Sequence, residues 1–496
     1  MNRFSLSGFL ALICVQMVLA QPIPDTTNRQ YVFAEVGGAV ASAQQTPFWL
    51  RSRQYGIVPL HGPLALGRVG GVRYVGDSHN PRKVHLKLGA EAVLNLAPGV
   101  SRVLLPEAYV GVRLGRFEVY GGRRREVFGL VDTLLSSGSY AWSGNALPIS
   151  KIQLATRGFV PVPFTRGVLA INALFAHGWV SNTESVQGSF LHQKALFARV
   201  NLWRGRIHLF GGVSHHAQWG GRSAVIGGLA PNGRIPGTLR DYWDIIRVRQ
   251  PLNDTARYSG FDRANRAGNH LGSIDVAVEL AGQRTNWFLY CQHPYEDKSG
   301  VAFQNVPDGL YGLRWRNNTP ARQRGFRLMQ LTMEVLSTTD QGGFNININS
   351  RLYDGADDYF NNYQFVDGWT HRQRVIGTPF LTRYQDARPD LRDLKGGFGR
   401  LAISNNRVHV FHLGLLGGWR SGVQVRALLS QSKNFGRPIA ADPRMPRSQF
   451  SGLVEGVIPL RWLGQSQLRL TVAADQGQWL TNTVSSWLSF RKTFFN

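Results

Sequence analysis

The sequence predicts an all-β protein, a single transmembrane antiparallel β-barrel. Apolar and polar residues alternate with period two along nearly the whole chain, as expected of strands with two different faces. Beyond the N-terminus there is no run of about 20 apolar residues that could form a membrane-spanning helix. The composition combines 43% hydrophobic residues, 56 Gly and 27 Phe with a formal charge of +26, so charge and apolar surface must alternate closely.

The N-terminus reads as a secretory signal. Arg3 precedes an apolar run from Phe9 to Leu19, and Val18-Leu19-Ala20 has the small residues that a signal peptidase requires. We therefore expect a signal peptide over residues 1–20, cleavage near Ala20, and one barrel domain over 21–496. A lipoprotein signal at Cys14 is disfavoured by Ile13, and export leaves Cys291 without a partner for a disulfide.

Strands with alternating faces follow one another in order. In 84–96, Leu86, Leu88 and Leu94 alternate with Lys87 and Glu91, and 107–114 and 117–121 form a tight hairpin around a two-residue turn. The same alternation returns in six further stretches: 196–202, 207–213, 274–280, 327–335, 423–429 and 468–474.

The spacing of these strands sets their number. At about 25 residues for each strand with its connection, the chain predicts about 18 strands, within a range of roughly 16–20, with long extracellular loops and short periplasmic turns. The chain closes on the aromatic strand Trp487 to Phe495, although the terminal Asn496 fits less well. A soluble sandwich or propeller would show shorter strands. We expect a monomer in the cell outer membrane.

Three segments of the sequence resemble the Wzi-type capsule assembly outer-membrane protein family: Gln44 to Pro59, Gly268 to Ser273, and Tyr384-Gln385-Asp386. The resemblance implies an outer-membrane barrel that helps attach or assemble capsular polysaccharide at the cell surface, with lectin-like binding and no catalytic chemistry. It also implies contact with surface polysaccharide. Docking of the polysaccharide export machinery on the periplasmic turns is left open by the sequence. It carries no binding residue over to this chain.

Trp49, Arg51 and Arg53 are the first candidate glycan-binding residues. Alternation would place them on one face of a strand, where Arg can pair with uronate or phosphate and Trp can stack on a sugar ring. The alternative, which we favour, is an early barrel strand with an interfacial aromatic residue and lumen-facing arginines.

A second candidate segment runs from Asp354 to His371 and mixes carboxylates, amides and aromatic rings. Such a mixture suits sugar hydroxyls and faces, but it is also typical of a long surface loop. The aspartates lack the spacing of an EF-hand, so no metal is expected. The candidates in this segment are Asp357, Asp358, Tyr359, Asn361, Asn362, Trp369 and His371.

Basic clusters could meet anionic polysaccharide or the phosphates of lipopolysaccharide, drawn by the high positive charge. Each could equally be lumen or loop arginine balanced by Asp and Glu. The clusters are Arg123-Arg124-Arg125, the arginines of 314–327, and Arg257, Arg263 and Arg266. Between them, 240–247 could be a helix near the membrane face with Trp243 as an anchor, or part of a plug.

Enzyme motifs are missing from the sequence. It contains no His-Glu-x-x-His zinc pattern, Gly-x-Ser-x-Gly elbow, P-loop or paired cysteines, so we expect neither catalysis nor a cofactor. Export makes nucleic acid an improbable partner, whereas outer-membrane lipid and lipopolysaccharide are expected ones. The leading function is binding of acidic capsular polysaccharide. The alternative is an anion-selective porin or gated transporter.

Overall fold

The structure is a computed structural model that describes residues 30–76, 83–98, 100–223, 226, 229–319, 325–343, 357–392, 401–438 and 445–495. The predicted signal peptide with its cleavage site near Ala20 lies outside the described residues. So do residues 354–356 of the second candidate segment and Arg322 and Arg324 of one basic cluster.

Eighteen strands form the barrel, and β6 is continued after a break by Val160–Pro161. The strands are β1 (Tyr31–Ala41), β2 (Leu64–Val75), β3 (His85–Ala97), β4 (Val100–Leu114), β5 (Phe117–Arg123), β6 (Ser150–Thr156), β7 (Leu169–Trp179), β8 (Phe190–Leu202), β9 (Ile207–Trp219), β10 (Asn269–Ala281), β11 (Thr285–Tyr295), β12 (Gly309–Asn317), β13 (Arg327–Ser337), β14 (Val408–Gly418), β15 (Gln424–Asn434), β16 (Arg447–Leu460), β17 (Ser466–Gly477) and β18 (Thr483–Phe495).

The sheet closes on itself through its first and last strands. β1 pairs with β18 in antiparallel register, from Tyr31 opposite Phe495 to Ala41 opposite Ser485. All other neighbouring strands are also antiparallel. Closure leaves no unpaired sheet edge, and only such a structure satisfies every strand backbone group in lipid. The predicted 18-stranded barrel is confirmed.

Alternation along the strands separates the two faces of the wall as predicted. In β3 the side chains of His85, Lys87 and Glu91 are buried inside the barrel, whereas Leu86 and Leu94 are exposed on its outer surface. The outer surface is thus apolar and the inner surface polar, which is the arrangement that a bilayer imposes on a barrel.

The connections assign the two ends of the barrel. The N-terminus of β1 and the C-terminus of β18 lie at one end of the barrel. The short turns at 115–116, 203–206, 282–284 and 461–465 lie at the same end. The opposite end carries the long connections 42–63, 124–149, 220–268 and 338–407, although 98–99 is short. Because barrels of this kind have short periplasmic turns and longer extracellular loops, the long connections are extracellular.

Three of the long connections turn inward and fill the lumen. The parts that do so, 42–63, 124–149 and 357–391, are called the plug. Their large side chains join one apolar cluster with residues of the wall: Trp49, Tyr140, Trp142, Phe360, Trp369 and Phe380.

Polar side chains of the wall hold the backbone of the plug. The Asp475 carboxylate accepts a hydrogen bond from the Phe48 N–H at 2.7 Å, and the Asp275 carboxylate accepts one from the Leu130 N–H at 2.6 Å. A buried backbone group without a partner is costly. The inward-facing polar residues of the strands therefore fix the plug in place.

Charged residues on the inner wall are balanced within the barrel. The Arg68 guanidinium lies 3.0 Å from Glu35 and 2.9 Å from Glu91, and Glu91 also accepts from Arg125 at 2.8 Å. A few strands further round the wall, on β15 and β16, Arg426 pairs with Glu455 at 3.3 Å. The expectation that many arginines are lumen residues offset by carboxylates is met here.

Within the described ranges, four short α-helices lie between strands: α1 (Phe48–Arg51), α2 (Leu239–Ile246), α3 (Gly260–Ala264) and α4 (Lys298–Val301). Among the described residues, no helix is long and apolar enough to cross a membrane. Of the two readings left open for 240–247, the structure shows the helix, and this helix is not part of the plug.

Candidate functional site

The Pro47 to Tyr55 segment is a buried piece of the plug, so the prediction of an early strand there is wrong. Its first turn is the helix α1, and Arg53 and Tyr55 have φ angles of 56° and 51°. Left-handed backbone at two positions two residues apart cannot continue a strand. Backbone hydrogen bonds hold this shape, with the Tyr55 N–H donating to the Gly144 carbonyl at 2.8 Å.

Trp49, Arg51 and Arg53 all point into the protein and are buried. The Trp49 indole N–H donates to Ser430 Oγ at 3.2 Å, and the Arg51 guanidinium lies 3.3 Å from the Asp386 carboxylate. The Arg53 guanidinium donates to backbone carbonyls of the plug, that of Thr133 at 2.9 Å among them. These contacts join the plug to the wall and to itself.

Asp357 and Asp358 begin the described part of the second segment. The sequence of this segment is typical of a surface loop. In the structure the segment turns into the lumen, because its aromatic side chains complete the apolar cluster. Asp358 forms an ion pair with Arg437. Asp357 is buried, and this burial together with the carboxylates of Asp297 and Asp308 raises its pKa well above the ordinary value.

Tyr359, Asn361 and Asn362 are engaged within the same segment. The Tyr359 hydroxyl donates to the Asp308 carboxylate at 3.1 Å, and the Asn361 amide donates to the Ile403 carbonyl at 3.0 Å. Asn362 is half-buried, and its side-chain oxygen accepts from the Gln364 N–H at 2.9 Å. The three residues stabilise the turn that leads to Trp369.

Trp369 lies at the centre of the plug with 1% of its surface exposed. Its indole N–H donates to the Ala141 carbonyl at 2.8 Å. Two residues later, the small hairpin of Thr370–His371 with Arg374–Val375 brings the chain to the extracellular rim. The candidate residues from Asp357 to Trp369 thus lie below this hairpin and support it.

A cluster of polar side chains occupies the rim beside this hairpin, and we call it the rim cluster. It consists of Arg123 at the end of β5, Ser150 at the start of β6, Ser181 after β7, and His371 with Arg372. The Arg123 Nε–H donates to Ser150 Oγ at 2.9 Å, and the Arg372 Nε–H donates to Ser181 Oγ at 2.9 Å. His371 Nε2 lies 3.4 Å from the same Ser181 oxygen.

The rim cluster carries positive charge that is not balanced locally. Within the part of the chain that the structure describes, no carboxylate lies at ion-pair distance from Arg123 or Arg372. Burial, with the charges of Arg372 and Arg123, lowers the pKa of His371 to about 3, so its ring is neutral at physiological pH. Two guanidinium groups beside two serine hydroxyls can bind a carboxylate or phosphate group.

A cavity of about 750 Å³ lies elsewhere, at the extracellular ends of β1, β2 and β18. Its lining includes Gly38, Ala65, Leu96 and Leu488 and contains no charged side chain. Most of these residues face outward, toward lipid. The cavity therefore offers no charged group to an acidic ligand.

Sequence reasoning found His371 but missed its neighbours Arg372 and Ser181. Arg123 was noted only as one of three consecutive arginines, of which Arg125 pairs with Glu91 inside the lumen. The sequence did contain one signal for Arg372, since this residue directly follows His371, the last residue of the second candidate segment. What the sequence could not show is that three separate connections meet at this point.

Comparisons with known proteins identify the family of this chain. The family described as capsule assembly protein Wzi matches residues 72–385, which is more than half of the chain. Among curated protein sequences there is no match.

Among solved structures, the Escherichia coli protein Wzi is 12% identical and aligns with a TM-score of 0.58, covering 93% of this chain and 84% of that one. That protein is described as an outer-membrane, carbohydrate-binding β-barrel involved in group 1 capsule assembly. Pseudomonas aeruginosa OpdK is 9% identical, with a TM-score of 0.46 and coverage of 94% and 99%.

The likeness to these structures concerns the fold, and the family match concerns the sequence of most of the barrel. The family match and the likeness to the E. coli structure agree on an outer-membrane β-barrel. The expected resemblance is confirmed: this chain belongs to the Wzi family of capsule assembly proteins.

Proposed function

We propose that this protein binds acidic capsular polysaccharide at the rim cluster and thereby helps attach capsule to the cell surface. Family membership and the carbohydrate binding described for the E. coli neighbour support a polysaccharide ligand. The acidic character of that ligand is our inference from the rim cluster.

The observation that carries the proposal is the unbalanced pair Arg123 and Arg372. Other arginines of the barrel, such as Arg68 and Arg125, have carboxylate partners. The rim pair instead donates to neutral hydroxyls and keeps its remaining N–H groups for a ligand. A uronate or other acidic sugar on a polymer outside the cell can pair with these guanidinium groups.

The ten residues named from the sequence take different parts in this proposal. His371 belongs to the rim cluster and faces the ligand side through Ser181. The other nine, in 49–53 and 357–369, hold the plug that presents the hairpin of His371 and Arg372. We propose that they act by positioning and not by contact with the polysaccharide.

The filled lumen favours attachment over transport. A porin needs an open aqueous path, whereas Trp49, Trp369 and their neighbours form a continuous apolar cluster with the wall. The proposal includes no catalytic step, because the rim cluster combines arginines with a neutral, buried histidine. An anion-selective pore would require the plug to move.

Binding of purified protein to the polysaccharide tests the proposal. The full-length protein in detergent micelles is titrated with the capsular polysaccharide of its own strain and with the same polymer after chemical reduction of its carboxylates. Each charged hydrogen bond contributes about 1.5–3 kcal/mol. We expect R123Q/R372Q and carboxylate reduction each to weaken binding by tenfold or more.

Arg388→Gln is the matched control. Arg388 is a partly exposed arginine like Arg123, but it pairs with Asp390 at 3.0 Å, so its removal should leave binding unchanged. Equal affinity of the R123Q/R372Q protein and the wild type would refute the assignment of the rim cluster. Equal affinity for native and carboxylate-reduced polymer would refute an acidic ligand while leaving polysaccharide binding intact.

A further inference from the structure

The outer wall of the barrel is covered near its extracellular end by residues 238–268 of the connection after β9. Leu196, Val213 and Val276 face the lipid and are exposed on β8, β9 and β10. In steps of two residues along the same strands, the same outward face carries His192, His215 and His270. All three histidines are buried. Something must therefore lie on the outside of the wall at this level.

Helix α2 is the element that lies there. The Tyr242 ring stacks on Trp219 with 4.8 Å between ring centroids, and its hydroxyl lies 3.2 Å from His192 Nδ1. Ile245 is buried in a small apolar cluster with Trp219 and Tyr258. Since Trp219 shares the outward face of Val213, the helix is docked on the outer surface of the barrel.

The carboxylates of α2 point away from the lipid and are neutralised. Arg257 donates to Asp241 at 2.7 Å and to Asp244 at 3.1 Å, and the Tyr258 hydroxyl lies within hydrogen-bond distance of both carboxylates. A capping box formed by Thr238 and Asp241 fixes the start of the helix. The helix is thus held rigidly, with its acidic side turned inward.

The opposite face of α2 is apolar and cationic. Leu239 is 82% exposed and Trp243 is 59% exposed, one helical turn apart. Arg240 and Arg247 are exposed beside them, and the Arg247 guanidinium lies 5.8 Å from the Trp243 ring. In the described ranges, no carboxylate lies at ion-pair distance from Arg240 or Arg247.

We propose that this face of α2 binds the lipid A part of lipopolysaccharide in the outer leaflet. Leu239 and Trp243 enter the acyl chains, and Arg240 and Arg247 bind the lipid A phosphates. Apolar residues flanked by arginines on one helix face are the pattern of helices that lie in a membrane interface. Guanidinium groups match phosphate oxygens in pairs. The extracellular position of the helix selects the leaflet that contains lipopolysaccharide.

A second exposed apolar stretch continues this belt along the wall. Val301, Phe303 and Val306 are exposed in the connection after β11. The Phe303 ring packs on the outward-facing His293 at 4.6 Å between centroids, and His293 Nε2 lies 2.9 Å from the Gly300 carbonyl. The outer rim from β8 to β12 thus presents apolar side chains at one level.

Binding of purified bisphosphorylated lipid A to the full-length protein tests this proposal. Native mass spectrometry of the protein in mild detergent gives the number and affinity of bound lipid A molecules. We expect the wild type to bind lipid A, and R240Q/R247Q to bind it at least tenfold more weakly. Dephosphorylated lipid A and phosphatidylglycerol should bind the wild type at least tenfold more weakly than lipid A.

A matched control is available in the turn Trp203–Gly205 with Arg206, at the periplasmic end of the barrel. Trp203, Arg204 and Arg206 are exposed there, so R204Q/R206Q removes the same charge from a similar neighbourhood. It should leave lipid A binding unchanged. Equal losses in the two double variants, or wild-type affinity in R240Q/R247Q, would overturn the proposal. Equal binding of dephosphorylated lipid A or of phosphatidylglycerol would overturn it as well.

Discussion

Arg123 and Arg124 are neighbours in the sequence but have opposite electrostatic surroundings. Arg124 lies 3.2 Å from Glu126 and also pairs with Glu118, whereas Arg123 donates to the neutral Ser150 hydroxyl. Arg124 follows the end of β5 and turns inward, while Arg123 stays at the rim. The same residue type therefore forms a structural ion pair at one position, while at the preceding one it has no carboxylate partner in the described part of the chain.

Trp369 tests whether the second candidate segment is structural. Trp369→Ala leaves a cavity in the plug and removes the hydrogen bond to Ala141, so we expect a loss of about 3–5 kcal/mol in unfolding free energy. Urea unfolding in detergent measures it. Trp462→Ala, at an exposed periplasmic turn, is the control and should cost little. A similar midpoint for both variants would contradict the buried position of Trp369.

Asp357 predicts a pH dependence. Its pKa is raised in the folded protein, so the folded state holds a proton that the unfolded chain releases as pH rises. Stability is therefore full below the ordinary aspartate pKa and falls as pH rises toward the raised value. Asp357→Asn should remove this fall and be more stable than wild type at pH 8, but not at pH 4.

Urea midpoints of the Asp357→Asn protein and the wild type across this pH range provide the measurement. Glu184→Gln, which changes an exposed carboxylate in the connection after β7, should keep the wild-type profile. An Asp357→Asn profile parallel to that of the wild type would show that Asp357 is not a buried acid.

At the scale of elements, the strands were predictable and the plug was not. A strand shows its two faces in its own sequence, as Lys87 and Glu91 do between Leu86 and Leu94. The plug depends on contacts between residues far apart, such as Arg51 with Asp386, which no local pattern records. Carboxylates and amides that look suited to a surface loop find their partners here in neighbouring connections, as Asp358 does in Arg437 and Asn361 in the Ile403 carbonyl.

Asp386 joins two parts of the plug, and we expect it to control how stably the plug is held in the lumen. Burial alone would raise the pKa of the Asp386 carboxyl. The guanidinium groups of Arg383, Arg51 and Arg374 nevertheless hold this pKa well below the usual value. Asp386→Ala leaves these charges buried without a partner, which costs about 3–5 kcal/mol. We expect lower unfolding stability and, in planar bilayers, current bursts that the wild type lacks.

Asp390→Ala is the control for this experiment. The Arg388–Asp390 pair is largely exposed, and such pairs contribute about 0–1 kcal/mol. If Asp386→Ala matched Asp390→Ala in both stability and conductance, the buried ion pair would not hold the plug.

The molecule as a whole separates its balanced from its unbalanced charge. Inside, arginine and glutamate neutralise each other along the wall, while the arginines of the rim cluster and of the outer face of α2 have no carboxylate partner among the described residues. A filled barrel with cations at its outer end suits the retention of a polyanion better than its passage. Attraction of this kind weakens as salt is added.

The retention of capsule on living cells tests the central claim most directly. A deletion strain is complemented with wild type, R123Q/R372Q or R388Q at equal levels of folded barrel, and cell-associated and released polysaccharide are measured. We predict that wild type and R388Q retain capsule, while R123Q/R372Q releases most of it into the medium. Wild-type retention by R123Q/R372Q would contradict the rim cluster as the site of attachment.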